Sequence, residues 1–318
     1  MIIQPDDYCR LNTDTFPVFL KPWYLDAVYG SRCWSSFLEY HDPQIFAVLP
    51  FSEYPKHCIT MPSVTQYAGP YLQVPELLSR AKRYSLHEQL LCGLLKQVDE
   101  SELDCYAQRW GGWIENWMPT FWYHYQNEPR FTYLLDCTRS YDEIYHNYST
   151  QVRNKLKKSD IYINEEKSVH MIYELLRKSL QLQQKEPKFS YANFENLANA
   201  TFKHQSGTAV YAYVNEHCCS GAFLIWDHNR MYYYIAGNDR EYQMYYSSTV
   251  LLDYCIKLAC KQKKIFDFTG SMLPSLSRFY RSFGSTLYSY PIINKIFCKD
   301  EIEAKFHKSN LRNYIFKF

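Results

Sequence analysis

Apolar positions along this 318-residue chain follow two rhythms, one helical and one alternating, and the changes between them mark its elements. In the second half Tyr141, Ile144, Tyr145, Tyr148, Val152 and Leu156 recur at three- and four-residue spacing, which predicts one helix. Ser140 and Glu143 form the S-x-x-E capping box that would start it. Two further helices are expected over 168–184 and 191–204. The rhythm then shortens in TAVYAYV (208–214), AFLIWD (222–227) and MYYYIAG (231–237), three short runs with tight turns that predict an antiparallel meander. The adjacent pair Cys218 and Cys219 is assigned to one of those turns. Val250, Leu251, Tyr254, Cys255, Leu258 and Ala259 restore the helical spacing.

A short apolar strand (Ile265, Phe266, Phe268) then runs into a Thr-Gly-Ser turn. Pro274 opens a helix, where its fixed φ and missing N–H cost nothing. Leu276, Phe279, Tyr280 and Phe283 give that helix one apolar face, Gly284 closes it as a left-handed cap, and 285–290 reads as the next strand. The first half reads less clearly. Pro22 starts a short helix, PWYLDAVYG, and 34–40 with 44–50 flank a His-Asp-Pro turn as a hairpin. Residues 84–98 predict a helix, and 120–126 and 130–136 predict strands. No simple repeat is visible. The reading is an α/β (α+β) chain of two halves, 1–137 and 138–293, with a tail over 294–318.

Length suits two domains of ordinary size. Charge is nearly balanced, 35 basic residues against 33 acidic, which argues against a dedicated nucleic-acid binder and against DNA as a partner. Tyrosine (31) and phenylalanine (19) are abundant, and amphipathic rings serve cores and ligand clefts alike. Eleven cysteines without C-x-x-C or paired-His spacing are expected as reduced thiols, with no metal site. The N-terminus lacks a basic region followed by an apolar core, and no apolar run approaches the ~20 residues of a membrane span. A cytoplasmic protein without a transmembrane segment is the expectation.

The order strand, turn, short helix, strand over 265–290 resembles the end of the GNAT acyltransferase fold. Within that superfamily it is similar to the Fem-type proteins, which transfer aminoacyl groups to peptidoglycan precursors. Those carry a "DF-x-G" strand end and an "F-K-x-x-F-G" helix end; here they read Asp267-Phe268-Thr269-Gly270 and Phe279-Tyr280-Arg281-Ser282-Phe283-Gly284. The resemblance covers about 140–293, and PWYLDAVYG with QYAGPYL (66–72) resembles the family's first half. It implies tandem GNAT-like domains, mixed mostly antiparallel sheets flanked by helices, and a tail that returns to the first half.

Acyl transfer needs a donor grip, stabilisation of the oxyanion and handling of a proton. In GNAT enzymes a glycine-rich loop after the fourth strand holds the CoA pyrophosphate. Here that connection runs from Gly237 and Asn238 to Tyr246, Ser247 and Ser248, has no glycine after Gly237, and carries Asp239 and Glu241. Fem-type proteins share the departure, so the resemblance admits aminoacyl-tRNA as well as acyl-CoA as donor, with no tightly bound cofactor. Tyr280, four residues before Gly284, stands where many GNAT enzymes place a tyrosine that protonates the leaving thiolate and where the Fem-type pattern has lysine. It also lies on the apolar face, which is the packing alternative.

Asp267 at the strand end could orient an amine or cap the turn, and Ser271 could bind substrate or shape that turn. Arg281, grouped with Tyr280 and Asp267 as catalytic, and Arg278 could each clamp a phosphate or carboxylate, or be solvated helix charges. The run Arg153-Asn154-Lys155-Leu156-Lys157-Lys158 resembles a basic Fem-type segment; Arg153 and Lys157 could meet phosphates of a nucleotide-linked substrate or tRNA, or only stabilise a helix end. Trp23, Tyr67 and Gly69 are the expected acceptor side. Ser/His/Asp triads, P-loops and dinucleotide fingerprints are absent. The function expected is acyl or aminoacyl transfer to an amine or hydroxyl of a cell-envelope precursor or sugar. Its alternatives are an acyl-CoA N-acetyltransferase with a diverged pyrophosphate loop, a catalytically inactive GNAT-like binding module, and RNA binding without chemistry.

Overall fold

The computed structural model describes residues 1–270, 272–298 and 300–301. The chain divides into two compact units, 1–130 with 289–318, and 131–288. In order the elements of the N-terminal stretch are β1 (Ile2–Ile3), α1 (Pro5–Tyr8), α2 (Pro22–Tyr29), β2 (Ser35–Asp42), β3 (Ile45–Phe51), β4 (Cys58–Ile59), β5 (Tyr71–Gln73), α3 (Arg80–Asp99), β6 (Cys105–Arg109), α4 (Pro119–Trp122) and β7 (Gln126–Asp136). Next come α5 (Tyr141–His146), α6 (Thr150–Lys158), β8 (Tyr162–Glu166), α7 (His170–Gln181), α8 (Tyr191–Lys203), β9 (Gly207–Val214), β10 (His217–Trp226) and β11 (Arg230–Asn238). The last are α9 (Ser247–Lys261), β12 (Ile265–Asp267), α10 (Pro274–Arg281) and β13 (Thr286–Ile296).

In the first unit β1, β2, β3 and β5 form one antiparallel sheet, with the β2–β3 hairpin at its centre. β6 lies parallel to β4 and antiparallel to β13. One face of α3 (Leu90, Leu91, Leu94, Leu95, Val98) packs with Phe37, Leu49, Tyr106 and Trp110. In the second unit the β9–β10–β11 meander forms as the alternation requires, and β8 joins its outer edge. β12 pairs parallel to β11 and antiparallel to β7. α9 supplies Leu251, Leu252, Cys255, Ile256 and Ala259 to the core below this sheet. The whole is mixed α/β with mostly antiparallel sheets, as expected.

Several local expectations change. The single helix expected from Tyr141 to Leu156 is two, because Ser149 interrupts it and caps α6 by accepting from the Val152 N–H at 3.3 Å. Its apolar stripe survives, since Ile144, Tyr148 and Val152 are buried in one core and Tyr141, Tyr145 and Leu156 pack on it. The capping box of Ser140 and Glu143 is present in both directions. The strand expected at 120–126 is instead α4: Pro119 presets a helical φ at its start, and His124 at φ 58° turns the chain before β7. Cys218 and Cys219 lie inside β10, while Asn215 and Glu216 (φ 47° and 65°) make the turn. β8 carries no clear alternation and was not expected. The sequence boundaries at 137 and 293 differ from those of the structure, which fall within continuous strands, after Arg130 in β7 and after Tyr288 in β13. Of the tail, residues 294–296 are the end of β13; Ser271, Lys299 and 302–318 lie outside the described residues.

Candidate active site

β11 and β12 begin as a parallel pair, Arg230 opposite Ile265, Met231 opposite Phe266 and Tyr232 opposite Asp267, and the pairing then stops. β11 continues alone on that side to Asn238, still held by β10. Tyr234 is the extra residue of a bulge there, because Tyr233 opposes Leu224 while Ile235 opposes Phe223. A bulge sharpens local twist, which turns β11 away from β12. Two parallel strands that part at their carboxyl ends create a crevice whose walls are backbone, the usual place for a ligand in such sheets.

Asp267 sits at the fork and is fully buried. Its Oδ1 accepts from the Thr132 hydroxyl at 2.6 Å and from the Thr269 N–H at 2.8 Å, and its Oδ2 lies 3.7 Å from the Arg230 guanidinium. Thr269 (φ 57°) and Gly270 (φ 85°) are consecutive left-handed residues. That conformation is costly for a β-branched side chain, and hydrogen bonds hold it. The Thr269 hydroxyl donates to the Tyr233 carbonyl, and the Gly270 N–H donates to the Thr132 hydroxyl at 2.8 Å. Asp267 therefore anchors the turn that ends β12.

α10 stands behind this turn. Its Tyr280 ring packs 4.8 Å from Phe268 and 6.4 Å from Tyr133, and Tyr133 shares a hydrogen bond with Ser277 at 2.7 Å. Burial pushes the Tyr280 hydroxyl up to about 12, so it stays protonated through neutral pH and can give a proton but not take one. Tyr233 lies within electrostatic reach of Tyr280, and burial raises its own value well above the ordinary one. The structure thus brings Tyr233, Phe268 and Tyr280 together where the strands part. Of the expected apolar face, Phe283 and Tyr280 are buried and Leu276 is exposed, since α10 rests on the core only by its C-terminal half. Gly284 does take the left-handed conformation, φ 76°. Arg278 and Arg281 are exposed on α10 and face away from Tyr280's core.

The expected donor loop divides in two. Gly237 is a buried residue of β11 opposite Gly221, and a Cβ there would lie 2.5 Å from the Leu176 nitrogen. Its missing side chain lets α7 lie against the sheet. Asp239 is buried and binds Lys178 at 2.9 Å and His217 at 3.3 Å; burial opposes its charge, but these hydrogen bonds and one from the Glu241 N–H keep its carboxyl below the ordinary value. Tyr246 then adopts φ 60°, a conformation glycine takes more easily, and α9 begins at Ser247 (buried) and Ser248 (half-buried).

The basic end of α6 reaches this point. The Ser159 hydroxyl donates to the Tyr245 carbonyl at 2.8 Å, and the Lys155 ammonium lies 5.4 Å from the Tyr246 ring. Arg153 is half-buried and donates to the His146 carbonyl at 2.9 Å, while Lys157 is exposed. Trp23, Tyr67 and Gly69 belong to the first unit. Trp23 is half-buried; Tyr67 is buried against Phe19 and Tyr290; Gly69 (φ 92°) packs on the Trp110 ring. Thr132, Arg230 and Tyr233 carry no signal in sequence, because polar residues and alternating tyrosines in strands are ordinary.

Residues 147–274 match the family model described as an acetyltransferase (GNAT) domain. That span holds the fork, the β11–α9 connection and the basic end of α6. FemX, in its crystal structure, shares the fold with a TM-score of 0.64 at 13% identity, over 89% of this chain and 92% of that one. A conserved protein from Bacteroides thetaiotaomicron follows at 0.50, 12% identity, covering 85% and 91%. So does the C-terminal domain of a protein described as a lysylphosphatidylglycerol synthetase from Agrobacterium fabrum, at 0.50 and 8% identity, covering 81% and 84%. No curated protein matches the chain by sequence. The chain has a GNAT-type fold, and its Fem-type resemblance extends from the motifs to the fold. Among the described residues no helix is long and apolar enough to cross a membrane.

Proposed function

We propose that the chain is an acyl- or aminoacyltransferase acting on an amine or hydroxyl of a cell-envelope precursor or sugar. The observation that supports this most is the β11–β12 fork, which lies inside the GNAT match, with a protonated Tyr280 beside it on α10 just beyond the matched span. In the reaction the acceptor nitrogen or oxygen bonds to the acyl carbon and the carbon–sulfur or carbon–oxygen bond to the carrier breaks. Tyr280 gives its proton to the departing atom and is reprotonated from the medium, while the acceptor's proton leaves to water. Asp267 holds the turn beside the reacting centre and does not transfer a proton.

The donor is an acyl-CoA or an aminoacyl-tRNA. Lys155 and Lys157, with the α9 N-terminus at Ser247 and Ser248, form a cationic end suited to phosphates of either. The β11–α9 connection, with a tyrosine in its left-handed position, favours the tRNA donor over a pyrophosphate cradled by glycines. One fold relative is named for lysylphosphatidylglycerol, an aminoacylated lipid, which is consistent with an envelope acceptor.

Melting the protein against a panel of acyl-CoA esters, then charged tRNAs, tests the donor. A ligand at a hundred times its dissociation constant adds about 2.7 kcal/mol. With the stabilising donor, Tyr280→Phe is expected to cut turnover at least about tenfold at unchanged melting temperature. Unchanged turnover would assign Tyr280 to packing alone, and no donor effect from either class would leave an inactive GNAT-like module.

A further inference from the structure

The first unit repeats the fork of the second. Ala68 and Trp110 form a parallel bridge, the Ala68 N–H donating to the Arg109 carbonyl at 2.7 Å and the Gly111 N–H to the Ala68 carbonyl at 3.2 Å. The two segments then part: β5 joins β3, while the chain after Trp110 turns elsewhere. The helix that connects them is α3, as α9 connects β11 to β12. At the carboxyl ends of this second fork lies a cavity of about 530 Å³, a size typical of small-molecule sites.

Its walls are Tyr71 and Leu72 from one arm, Trp113 to Asn116 from the other, and Arg80, Arg83, Tyr84 and His87 from α3. Those four helix residues stand at i, i+3, i+4 and i+7, so they form one stripe facing the cavity. Cations are unfavourable in the first turn of a helix, whose N-terminal end is already positive. α3 nevertheless opens with Arg80, Lys82 and Arg83 and has no acidic residue in that turn. A local rule broken without internal compensation is typical of a functional position. The Arg83 Nε is buried without a hydrogen-bond partner among the described residues. Glu115 is the carboxylate on the wall; it acts on Arg80 and His87, so cationic groups outnumber it. Burial and the neighbouring Arg83 lower His87 below the usual imidazole range.

We propose that the first unit binds an organic phosphate at this cavity, the phosphate on Arg80 and Arg83 and the body of the ligand against Tyr71, Tyr84 and Trp113. Guanidinium groups match phosphate oxygens bidentately, and the three rings offer an apolar, stackable wall. The site is independent of whether the second unit transfers acyl groups.

Calorimetric titration of the whole chain with phenyl phosphate and with inorganic phosphate, at fixed ionic strength, tests this. One phenyl phosphate should bind per chain, at least about fivefold tighter than inorganic phosphate because of the ring wall. Arg80→Gln and Arg83→Gln should each weaken it by at least about tenfold, as expected for a charge-assisted hydrogen bond. Arg139→Gln, at an exposed position of the other unit, should leave it unchanged. Arg80 is exposed, so its variant folds even where Arg83→Gln does not. Absence of binding up to about 10 mM, an affinity too weak to matter, would overturn the proposal. So would equal affinity for the two probes, binding unaltered in Arg80→Gln, or loss only in Arg139→Gln.

Discussion

Asp267 shows how a residue legible in the motif acquires its role from partners that the motif does not contain. Its position in the "DF-x-G" strand end is plain in sequence, whereas Thr132, which donates to it, stands 135 residues earlier. With the carboxylate removed, the Thr269 N–H, the Thr132 hydroxyl and Arg230 lose a common buried acceptor. Asp267→Ala is therefore expected to cost about 3 kcal/mol of stability, the scale of breaking a buried charged contact. A denaturant melt checks this. A stable variant that lost turnover would instead give Asp267 a chemical role. Tyr280 was legible for the opposite reason: four residues separate it from Gly284, and a helix fixes that spacing locally. That its hydroxyl is held protonated follows from burial against Phe268 and near Tyr233, which no local spacing encodes.

At the scale of elements, hydrophobic rhythm located nearly every helix and strand of the second unit, since each buries one face on the same core. Its failures have physical causes. The stripe from Tyr141 to Leu156 continues across a break, because α5 and α6 both face that core, and only the Ser149 cap separates them. β8, half-buried to exposed along its length, has little apolar pattern to show. Gly237 looked like a loop glycine and is a packing glycine, because α7 approaches β11 so closely that a methyl would meet its backbone. Gly237→Ala should destabilise the chain by about 1–3 kcal/mol, the cost of overpacking, with α7 displaced. Hydrogen exchange localised to α7 would register it, and a neutral substitution would place α7 farther from the sheet.

For the molecule as a whole, tyrosine is the dominant aromatic residue, and burial shifts many of its hydroxyls in one direction. Tyr8, Tyr106, Tyr232, Tyr233 and Tyr280 are all raised, chiefly by burial. Their neutral forms are favoured in the folded state, so the associated stability is full below the unfolded value near 10 and is lost as pH rises toward the folded values. Alkaline titration should show exposed tyrosines ionising first and the buried set ionising together with loss of circular dichroism. Gradual ionisation of all tyrosines in a folded chain would contradict that burial. The α2 and α3 helices, the meander, the capping box and the Fem-type motif spacing were determined by the sequence itself, because each depends on contacts or periodicities a few residues apart. The forks at Tyr232–Asp267 and Ala68–Trp110, the turn held by Thr132, and the closing of Tyr71, Leu72 and Trp113 to Asn116 around the α3 stripe at the first-unit cavity were decided only by tertiary structure. Each of these joins segments that chain connectivity leaves far apart, and strand pairing and burial alone bring them into contact.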